Sequence, residues 1–487
     1  MITGKRTRPI GSRLTRLALM IGVGTVLTAP VLADDLREAL VMAYNTNPTL
    51  QAARAQQRAV DEGVPIARSA GLPSLSGTAT YSEFVDGSSG NPLAPDRNFD
   101  AQLNAAMPIY AGGGIRNSVR AAETRVDAGR ADLRGVETGV FSAVVAAYMD
   151  VILGEAVVKL NRANVQRLEV NLQATRDRFE IGDLTRTDVA QSESRLALAR
   201  GQTRSAEANL IAARERYIQV VGKAPENLQS PPPLVGLPGS ADEAVDIALA
   251  SNPDLLAARQ RAKAAGYDTA AVGANRLPRV SVFANSGYND YLGTNKLPPA
   301  VQSTTNTTVG VRASVPLFQG GLPSAQRRQA QAREGATMEQ EIAVERAVIA
   351  NVRAAFAQWQ AALSLITSSQ AAVDAATLSL EGVRAENSVG NRTILDILNA
   401  ENELLNAQVQ LVTAKRNAYV AGFNLLAAMG KAEARDLALD GGALYDPDVN
   451  YRSVKGNVWD WSDNPDPKPA ATRTVDTKAQ DGSVAGQ

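Results

Sequence analysis

The chain contains the same unit of about 200 residues twice, and this duplication constrains its fold more than any other feature. "MPIYAGGG" at 107–114 returns as "VPLFQGG" at 315–321. Upstream, "NTNPTLQAAR" at 45–54 matches "ASNPDLLAAR" at 250–259, and downstream "IGDLTRTDVAQSESRL" at 181–196 matches "VGNRTILDILNAENEL" at 389–404. We therefore expect two copies of one structural unit, joined by a linker.

Residues 1–33 have the composition of a cleaved secretory signal peptide. The basic stretch "KRTRPIGSRLTR" precedes the apolar run "LALMIGVGTVL", and small residues precede a predicted cleavage after Ala33. The alternative is an N-terminal anchor helix, although the apolar run is shorter than an ordinary membrane span. Removing the five basic residues of this segment changes the net charge from 0 to −5, which disfavours a nucleic-acid partner.

The chain of 487 residues contains no cysteine and no histidine. This composition excludes disulfides, a lipidated N-terminal cysteine, Ser-His-Asp triads and histidine metal sites. We predict no enzymatic activity, no cofactor and no metal site. A carboxylate-pair hydrolase is the remaining enzymatic alternative, but no cluster of residues supports it.

Each unit contains the same order of predicted elements. In the first unit, residues 34–221, we expect a helix over about 36–70, strands over about 73–85 and 98–110, a long helix over 112–180 and a return helix over 185–221. In the second unit, residues 241–430, we expect a helix over about 242–275, strands over about 278–290 and 305–318, a long helix over 322–387 and a return helix over 393–430.

Three segments lie outside the two units. Residues 222–240 are rich in proline and predict a linker without helix. Residues 431–461 predict a periplasmic C-terminal segment, in which Trp459 and Trp461 are expected to pack on the helices. Residues 462–487 have no apolar periodicity and predict a disordered tail.

The four predicted strands alternate apolar and polar residues, as the wall of a transmembrane β-barrel does. One face carries apolar side chains: Leu75, Ala79, Tyr81, Phe99, Ala101, Leu103, Ala105, Met107, Ile109, Val280, Val282, Ala284, Tyr288, Val309, Val311, Ala313, Val315 and Leu317. The opposite face carries serine, threonine, asparagine, glutamine, aspartate and Arg312. The alternative is a soluble hairpin with one buried face.

Four strands are too few to close a barrel, which needs about eight. Because an open sheet would leave unpaired edges in lipid, the strands must be shared between subunits. Two subunits would supply eight strands filled by side chains, and three would supply twelve strands with a lumen.

The return helices show heptad spacing, which predicts antiparallel coiled coils. In the second unit the two seam positions are Ile397, Leu404, Leu411, Ala418 and Leu425, and Ala400, Ala407, Ala414, Ala421 and Ala428. The summed lengths of entry and return helices approach that of one long helix, so the two could stack end to end beside it.

The repeated phrase itself predicts a joint between barrel and helix. A proline ends the strand and glycines allow a sharp bend at Pro108, Gly112, Gly113, Pro316, Gly320 and Gly321.

The duplicated "NP…LP…P-φ-φ-x-G-G…VGxRTxxD" layout (φ denotes an apolar residue) resembles the TolC family of outer-membrane efflux and secretion channels, over about residues 36–430. The resemblance implies a mixed fold: a long antiparallel α-helical coiled-coil barrel plus a shared transmembrane β-barrel, with four strands per protomer and 12 in a homotrimer. It also implies an outer-membrane location spanning into the periplasm, a periplasmic adaptor (membrane-fusion) protein, and an inner-membrane ABC or proton-driven transporter. The ending "YDPDVNYRSV" after "MGK" resembles the type I protein-secretion branch.

The resemblance also assigns roles to the turns between long and return helices. Gly182 and Gly390 would lie at the turn tips that meet the adaptor. The periplasmic gate would comprise Thr187, Asp188, Asn387, Arg392, Asp396 and Asn399. Asp396 and Asn399 would face the channel axis, while Arg392 and Asn387 would bind Thr187 and Asp188 in the closed state. From the residues alone, the two T-x-x-D motifs are equally well explained as helix capping boxes.

Two residues depart from the family pattern. Asn399 stands where an aspartate is common, and Asn387 where an aromatic residue is common. We therefore expect a weaker cation site and a looser closed state.

The predicted function is the exit duct of a tripartite export machine that passes proteins by type I secretion. The alternatives are multidrug or small-molecule efflux by the same architecture, and a periplasmic coiled-coil scaffold without transport.

Overall fold

The computed structural model describes residues 35–85, 95–294, 298, 302–439 and 444–484. The predicted signal peptide and the last three residues lie outside the described residues. The chain from Asp34 onward forms one compact unit.

The two repeats contain matching elements in the same order. The first has helices α1 (Leu36–Thr46), α2 (Pro48–Asp61) and α3 (Gly63–Ser69), strands β1 (Ser74–Glu83) and β2 (Arg97–Tyr110), and helices α4 (Gly114–Glu180) and α5 (Arg186–Val221). The second has α6 (Ala241–Ser251), α7 (Pro253–Gly273), β3 (Arg279–Asp290), β4 (Ser303–Ser314), α8 (Leu322–Ser388) and α9 (Ile394–Ala428). A further helix, α10 (Pro447–Val454), follows.

The entry helix predicted in each repeat is interrupted at its Asn-Pro pair. Asn47 adopts an extended conformation, and its side-chain oxygen accepts hydrogen bonds from the backbone N–H groups of Thr49 and Leu50. Asn252 caps α7 in the same way. The proline at the first helical position disfavours a helical residue before it, so the chain bends where the sequence predicted continuity.

The side-chain amides at these bends also bind the end of the return helix in the same repeat. Asn47 Nδ2 donates to the carbonyl of Val220 at the end of α5, over 2.9 Å. Asn252 Nδ2 donates to the carbonyl of Ala428 at the end of α9, also over 2.9 Å. The end of each return helix therefore lies at the bend of the entry helix in its own repeat, beside a long helix, as the summed lengths predict.

The four strands form one antiparallel sheet in the order β1-β2-β3-β4. The register places apolar residues opposite one another, for example Leu75 opposite Ala105 and Val282 opposite Val311. Apolar side chains of this face are exposed on β1, β2 and β4, with Leu103 at 52% and Val309 at 70% of full exposure, whereas most of those on β3 are half-buried. On the opposite face Arg312 lies over the ring of Phe283.

The prolines of the joint differ from the expectation that they end the strands. β2 continues past Pro108 to Tyr110 through a register shift, while β4 ends at Ser314, before Pro316. Ser314 is paired with Arg279, the first residue of β3, so no residue lies opposite the chain beyond it.

The glycines of the joint have the predicted role. Gly113 and Gly321 have φ of 80° and 83° and form the N-caps of α4 and α8. This left-handed conformation favours glycine because it has no Cβ.

The helices form a layer in which α4 is the central element. In the half next to the sheet, α4 contacts α2, α3 and α7, and α7 contacts α8. In the far half, α4 contacts α5 and α9, and α9 contacts α8. The predicted coiled-coil seams are buried: Ile397, Ala400, Leu404 and Ala407 form one cluster with Leu380 of α8.

Within the described residues, α4 is the one helix apolar and long enough to cross a membrane by composition. Its Phe141, Val144, Tyr148 and Val151 are fully buried in the main core, so this apolar character is that of a core helix.

The C-terminal region differs from two predictions. Residues from 462, expected to be disordered, lie against the first repeat, where the backbone N–H of Gln480 donates to Glu215 and Arg162 donates to the carbonyl of Gly482. Trp459 and Trp461, expected to pack on helices, are 70% and 82% exposed. Arginine and glutamate side chains of α4 and α5 hold the tail without any apolar periodicity in its sequence.

We expect Asn47→Ala to lower the free energy of unfolding by about 1.5–3 kcal/mol, because it removes a helix cap and a buried hydrogen bond to Val220. Denaturant unfolding of the detergent-solubilised protein, followed by circular dichroism, measures this change. Asn45→Ala is the matched control, since Asn45 is exposed and its change should stay within about 0.5 kcal/mol. Equal losses in the two variants would contradict the proposed role of the bend.

Candidate functional site

The two helical hairpins end in turns of the same construction. Gly182 follows α4 and Gly390 follows α8, with φ of 83° and 85°. In each turn a backbone N–H donates back to a carbonyl of the preceding helix, from Asp183 to Arg178 and from Asn391 to Glu386, both over 2.9 Å. The glycines can adopt this left-handed geometry without steric cost, so the chain reverses within five residues.

Both T-x-x-D motifs are capping boxes. The Oδ2 atom of Asp188 accepts hydrogen bonds from the backbone N–H and the hydroxyl of Thr185, at 2.9 and 2.7 Å. Asp396 makes the same bonds to Thr393, at 2.9 and 2.8 Å. The local explanation of these motifs is therefore confirmed.

These bonds favour the charged carboxylates. The side-chain and then the backbone hydrogen bond of Thr185 lower the pKa of Asp188 below its usual 3.8. The backbone and then the side-chain hydrogen bond of Thr393 lower the pKa of Asp396, with a smaller contribution from Arg392. A lowered pKa in the folded state means that the caps stabilise the turns at neutral pH and are lost only as the pH falls through these values.

Arg392 and Asn387 do not bind Thr187 and Asp188 in this structure, contrary to the closed-state ties expected from the resemblance. Arg392 Nε donates to Glu386 over 2.7 Å, and Asn387 Nδ2 donates to the carbonyl of Arg392 over 2.7 Å. Glu386 and the Arg392 carbonyl both belong to this turn. They are therefore much closer along the chain than Thr187 and Asp188 of the other hairpin. Glu386 also raises the pKa of Arg392 above its usual value.

Asn399 contacts the other hairpin. Its Oδ1 accepts a hydrogen bond of 2.9 Å from Arg195 Nη2 on α5. This link between α9 and α5 was missed in the sequence, where Arg195 has the ordinary appearance of a charged residue on a solvated helix face.

A buried carboxylate, also missed in the sequence, joins three helices. Glu401 on α9 is 1% exposed. Its two oxygens accept bonds of 3.0 Å from Asn171 Nδ2 on α4, and Arg384 Nη2 on α8 donates to Oε1 over 2.7 Å. Leu398, one turn earlier, packs in the apolar cluster formed by α4 and α5. Together these side chains hold the second hairpin against the first.

The duplication provides a direct comparison for this carboxylate. Glu193 and Arg176 occupy the positions of Glu401 and Arg384 in the first repeat, and they also pair, over 2.6 Å. Both of their side chains are about half exposed, at 50% and 48%. Both hairpins therefore share the pair, but only the glutamate of the second is buried, because α9 packs against α4, while Arg384 stays 47% exposed.

We expect Glu401→Gln to weaken the contact between the hairpins by about 1.5–3 kcal/mol, since it removes a buried charged acceptor from Asn171 and Arg384. Hydrogen exchange at the backbone amides around Leu398 reports this loss. Glu193→Gln changes an exposed pair and should alter exchange by less than about 0.5 kcal/mol. A similar effect of both substitutions would show that burial of Glu401 is not what stabilises the contact.

Comparison with known proteins agrees with this geometry. The chain is 35% identical over 435 residues to the outer membrane efflux protein BepC of Brucella suis, covering 89% of this chain and 93% of that protein. It is 27% identical to the alkaline protease secretion protein AprF of Pseudomonas aeruginosa, over 85% of this chain and 88% of AprF.

The fold is shared with solved channels. The structure of the Campylobacter jejuni CmeC outer membrane channel superposes with a TM-score of 0.72 at 17% identity, covering 86% of this chain and 89% of CmeC.

The sequence model for outer membrane efflux proteins matches residues 39–223 and 244–431, which are the two repeats. The resemblance inferred from the duplicated motifs and the predicted outer-membrane location are both confirmed. The chain belongs to the outer membrane efflux protein family.

Proposed function

We propose that three copies of the chain form a channel, with a twelve-stranded β-barrel in the outer membrane and a helical tunnel in the periplasm. The observation that carries this proposal is the sheet itself. β1 pairs only with β2, and β4 only with β3, so both outer edges of the described sheet are unpaired. In lipid such edges are satisfied only by the strands of another copy.

Three copies fit the chemistry of the sheet better than two. Eight strands close into a barrel whose interior is filled by side chains, whereas twelve leave a lumen. The polar face carries large charged and amide side chains, including Arg312, Asp100 and Gln102, which require water. A water-filled interior lined by this face is a conduit and needs no catalytic residue, so we propose no enzymatic step.

Native mass spectrometry of the mature protein in detergent tests this assembly, and we expect three times the chain mass. A stable monomer in buffer without detergent would contradict the proposal. It would favour the alternative of a soluble periplasmic scaffold, which fractionation of the membranes would also detect.

The hairpin tips at Gly182 and Gly390 are the proposed docking and gating end. They lie at the ends of α4 and α8, 67 residues each, which start at the sheet and extend about 100 Å from it. We propose that a periplasmic adaptor and an inner-membrane transporter engage this end. Opening would then require the second hairpin to leave the first, breaking the contacts of Glu401, Leu398 and Asn399.

Asp396 is the proposed cation-binding residue of the entrance. Its Oδ2 is used by the capping box, and within the described residues Oδ1 accepts no hydrogen bond. Around a threefold axis, three such oxygens would form a ring that attracts cations.

We expect Asp396→Ala to relieve block by multivalent cations in planar-bilayer recordings, raising the half-blocking concentration on the order of tenfold. Asp188→Ala is the matched control, because it destroys the equivalent capping box on the other hairpin without removing the ring. If both variants respond alike, the change reflects a loosened helix end, and the assignment of Asp396 is wrong.

The proposed cargo is protein, exported by type I secretion, and the relative AprF is named an alkaline protease secretion protein. Efflux of small molecules is the second candidate, and the 35% identity to BepC, which is named an efflux protein, favours it. A deletion strain separates the two. Loss of secreted protein, restored by the intact gene, supports secretion, whereas drug sensitivity with normal secretion supports efflux.

A further inference from the structure

The C-terminal segment after α9 runs along the first repeat towards the sheet. The backbone N–H of Tyr445 donates to the hydroxyl of Tyr44 on α1, over 2.8 Å. Asn450 Nδ2 then donates to Asp61 at the end of α2, over 2.8 Å, and the carbonyl of Lys455 accepts from Arg68 on α3, over 3.1 Å. Tyr44, Asp61 and Arg68 come in this order along the chain towards β1. The C-terminal segment therefore approaches the sheet as it passes them.

Beyond the apolar stretch that follows Lys455, the chain runs back to the end of α1, near which the segment began. A Cβ built on Gly222, at the end of α5, would lie 3.0 Å from Thr472 Oγ1 and 3.3 Å from Thr46 Oγ1. Farther along, Gln480 contacts Glu215 on α5. Residues 456–463, which we call the apex loop, follow directly on the contact of Lys455 with α3, the helix that precedes β1.

The apex loop presents large apolar side chains to its surroundings. Val458, Trp459 and Trp461 are 63%, 70% and 82% exposed. A turn in which the N–H of Ser462 donates to the carbonyl of Trp459 holds the two tryptophans close together. Clustered exposed side chains of this size mark a surface that another phase or molecule covers.

The level of the loop indicates which phase covers it. Arg68, which binds Lys455, precedes the first residue of β1 by six positions, and Trp459 is four residues beyond Lys455, within about 14 Å of it even when fully extended. At the same end of the sheet, Leu317 and Phe318 are 93% and 90% exposed just beyond β4. These side chains mark the lower border of the apolar, lipid-facing surface.

We propose that the apex loop is an interfacial anchor, in which Trp459 and Trp461 insert among the phospholipid headgroups on the periplasmic side of the outer membrane. Tryptophan is enriched at this interface because its ring is amphipathic, with an apolar body and one N–H donor. The inference rests on the outer-membrane location and not on the number of copies or the cargo.

The charges of the loop specify the kind of lipid surface. Asp460 lies between the two tryptophans and Asp463 follows them, with no lysine or arginine between Lys455 and Lys468. Attraction to anionic lipid is thus absent, and insertion relies on the indole rings. We expect the same anchoring in zwitterionic membranes as in membranes that contain phosphatidylglycerol.

Tryptophan fluorescence of the full-length channel in lipid nanodiscs tests the anchor. The chain has three tryptophans, and the third, Trp359, packs against Phe356 in the helices, with ring centroids 5.9 Å apart. Nanodiscs of phosphatidylcholine with bromine atoms high on the acyl chains should quench the emission of the unmodified protein. Trp459→Phe/Trp461→Phe, which retains Trp359 and changes only exposed residues, should lose no emission in the same lipid.

Two results would overturn the anchor. Quenching by aqueous iodide but not by brominated lipid would place the rings in water. Protection from both quenchers would place them against a neighbouring copy. Mass measurement of the same samples reports assembly separately, so failure of the anchor and failure of the proposed trimer are distinguishable.

Discussion

The backbone hydrogen bonds of a short sheet in lipid are the constraint on which the rest of this structure depends. The four strands carry an apolar face that is largely exposed, and both edges of the described sheet are unpaired. Exposure of the apolar face is unfavourable in water, and the unpaired backbone groups of the edges are unfavourable in lipid. In the proposed trimer the sheet is one third of the barrel wall, and the helices that leave it form one third of the tunnel wall. The long helices α4 and α8 contact other helices both in the half next to the sheet and in the far half.

Gene duplication explains why the two repeats contain the same elements, but not why their hairpins make different contacts. Both hairpins have a glycine turn, a capping box and an Arg–Glu pair. Only in the second hairpin is the glutamate, Glu401, sealed against α4. An exposed ion pair contributes little to stability, whereas a buried one is costly to break. Glu401 thus contributes to the contact between the hairpins, while its counterpart Glu193 stays on the surface.

The turns at Gly182 and Gly390 differ from the arrangement that the family pattern implies. Arg392 and Asn387 bind within their own turn, and Asn399 binds Arg195, so the contact between the hairpins is carried by Arg195, Asn171 and Glu401. The departures noted in the sequence are consistent with this shift. Without an aromatic side chain at 387 to reach across, the buried carboxylate deeper in the coil provides the contact.

The sequence by itself determined the elements and their order. Periods of two and seven residues, Asn-Pro pairs and glycine clusters act through local sterics and backbone hydrogen bonding, which extend over a few residues. They predicted the strands, the long helices, the joints and the turns, although the bend at Asn47 was missed because helical periodicity continues across it. The family resemblance followed from the same motifs.

Tertiary structure alone decided which of these local features meet. Leu398 and Leu405 flank Glu401 where alanines flank Glu193, but no residue around Glu401 shows which helices it contacts. Nothing in "GNVWDWSDN" shows that Trp459 and Trp461 follow directly on a contact with α3. Burial and proximity depend on segments that are hundreds of residues apart in the chain, and a local pattern carries no information about them.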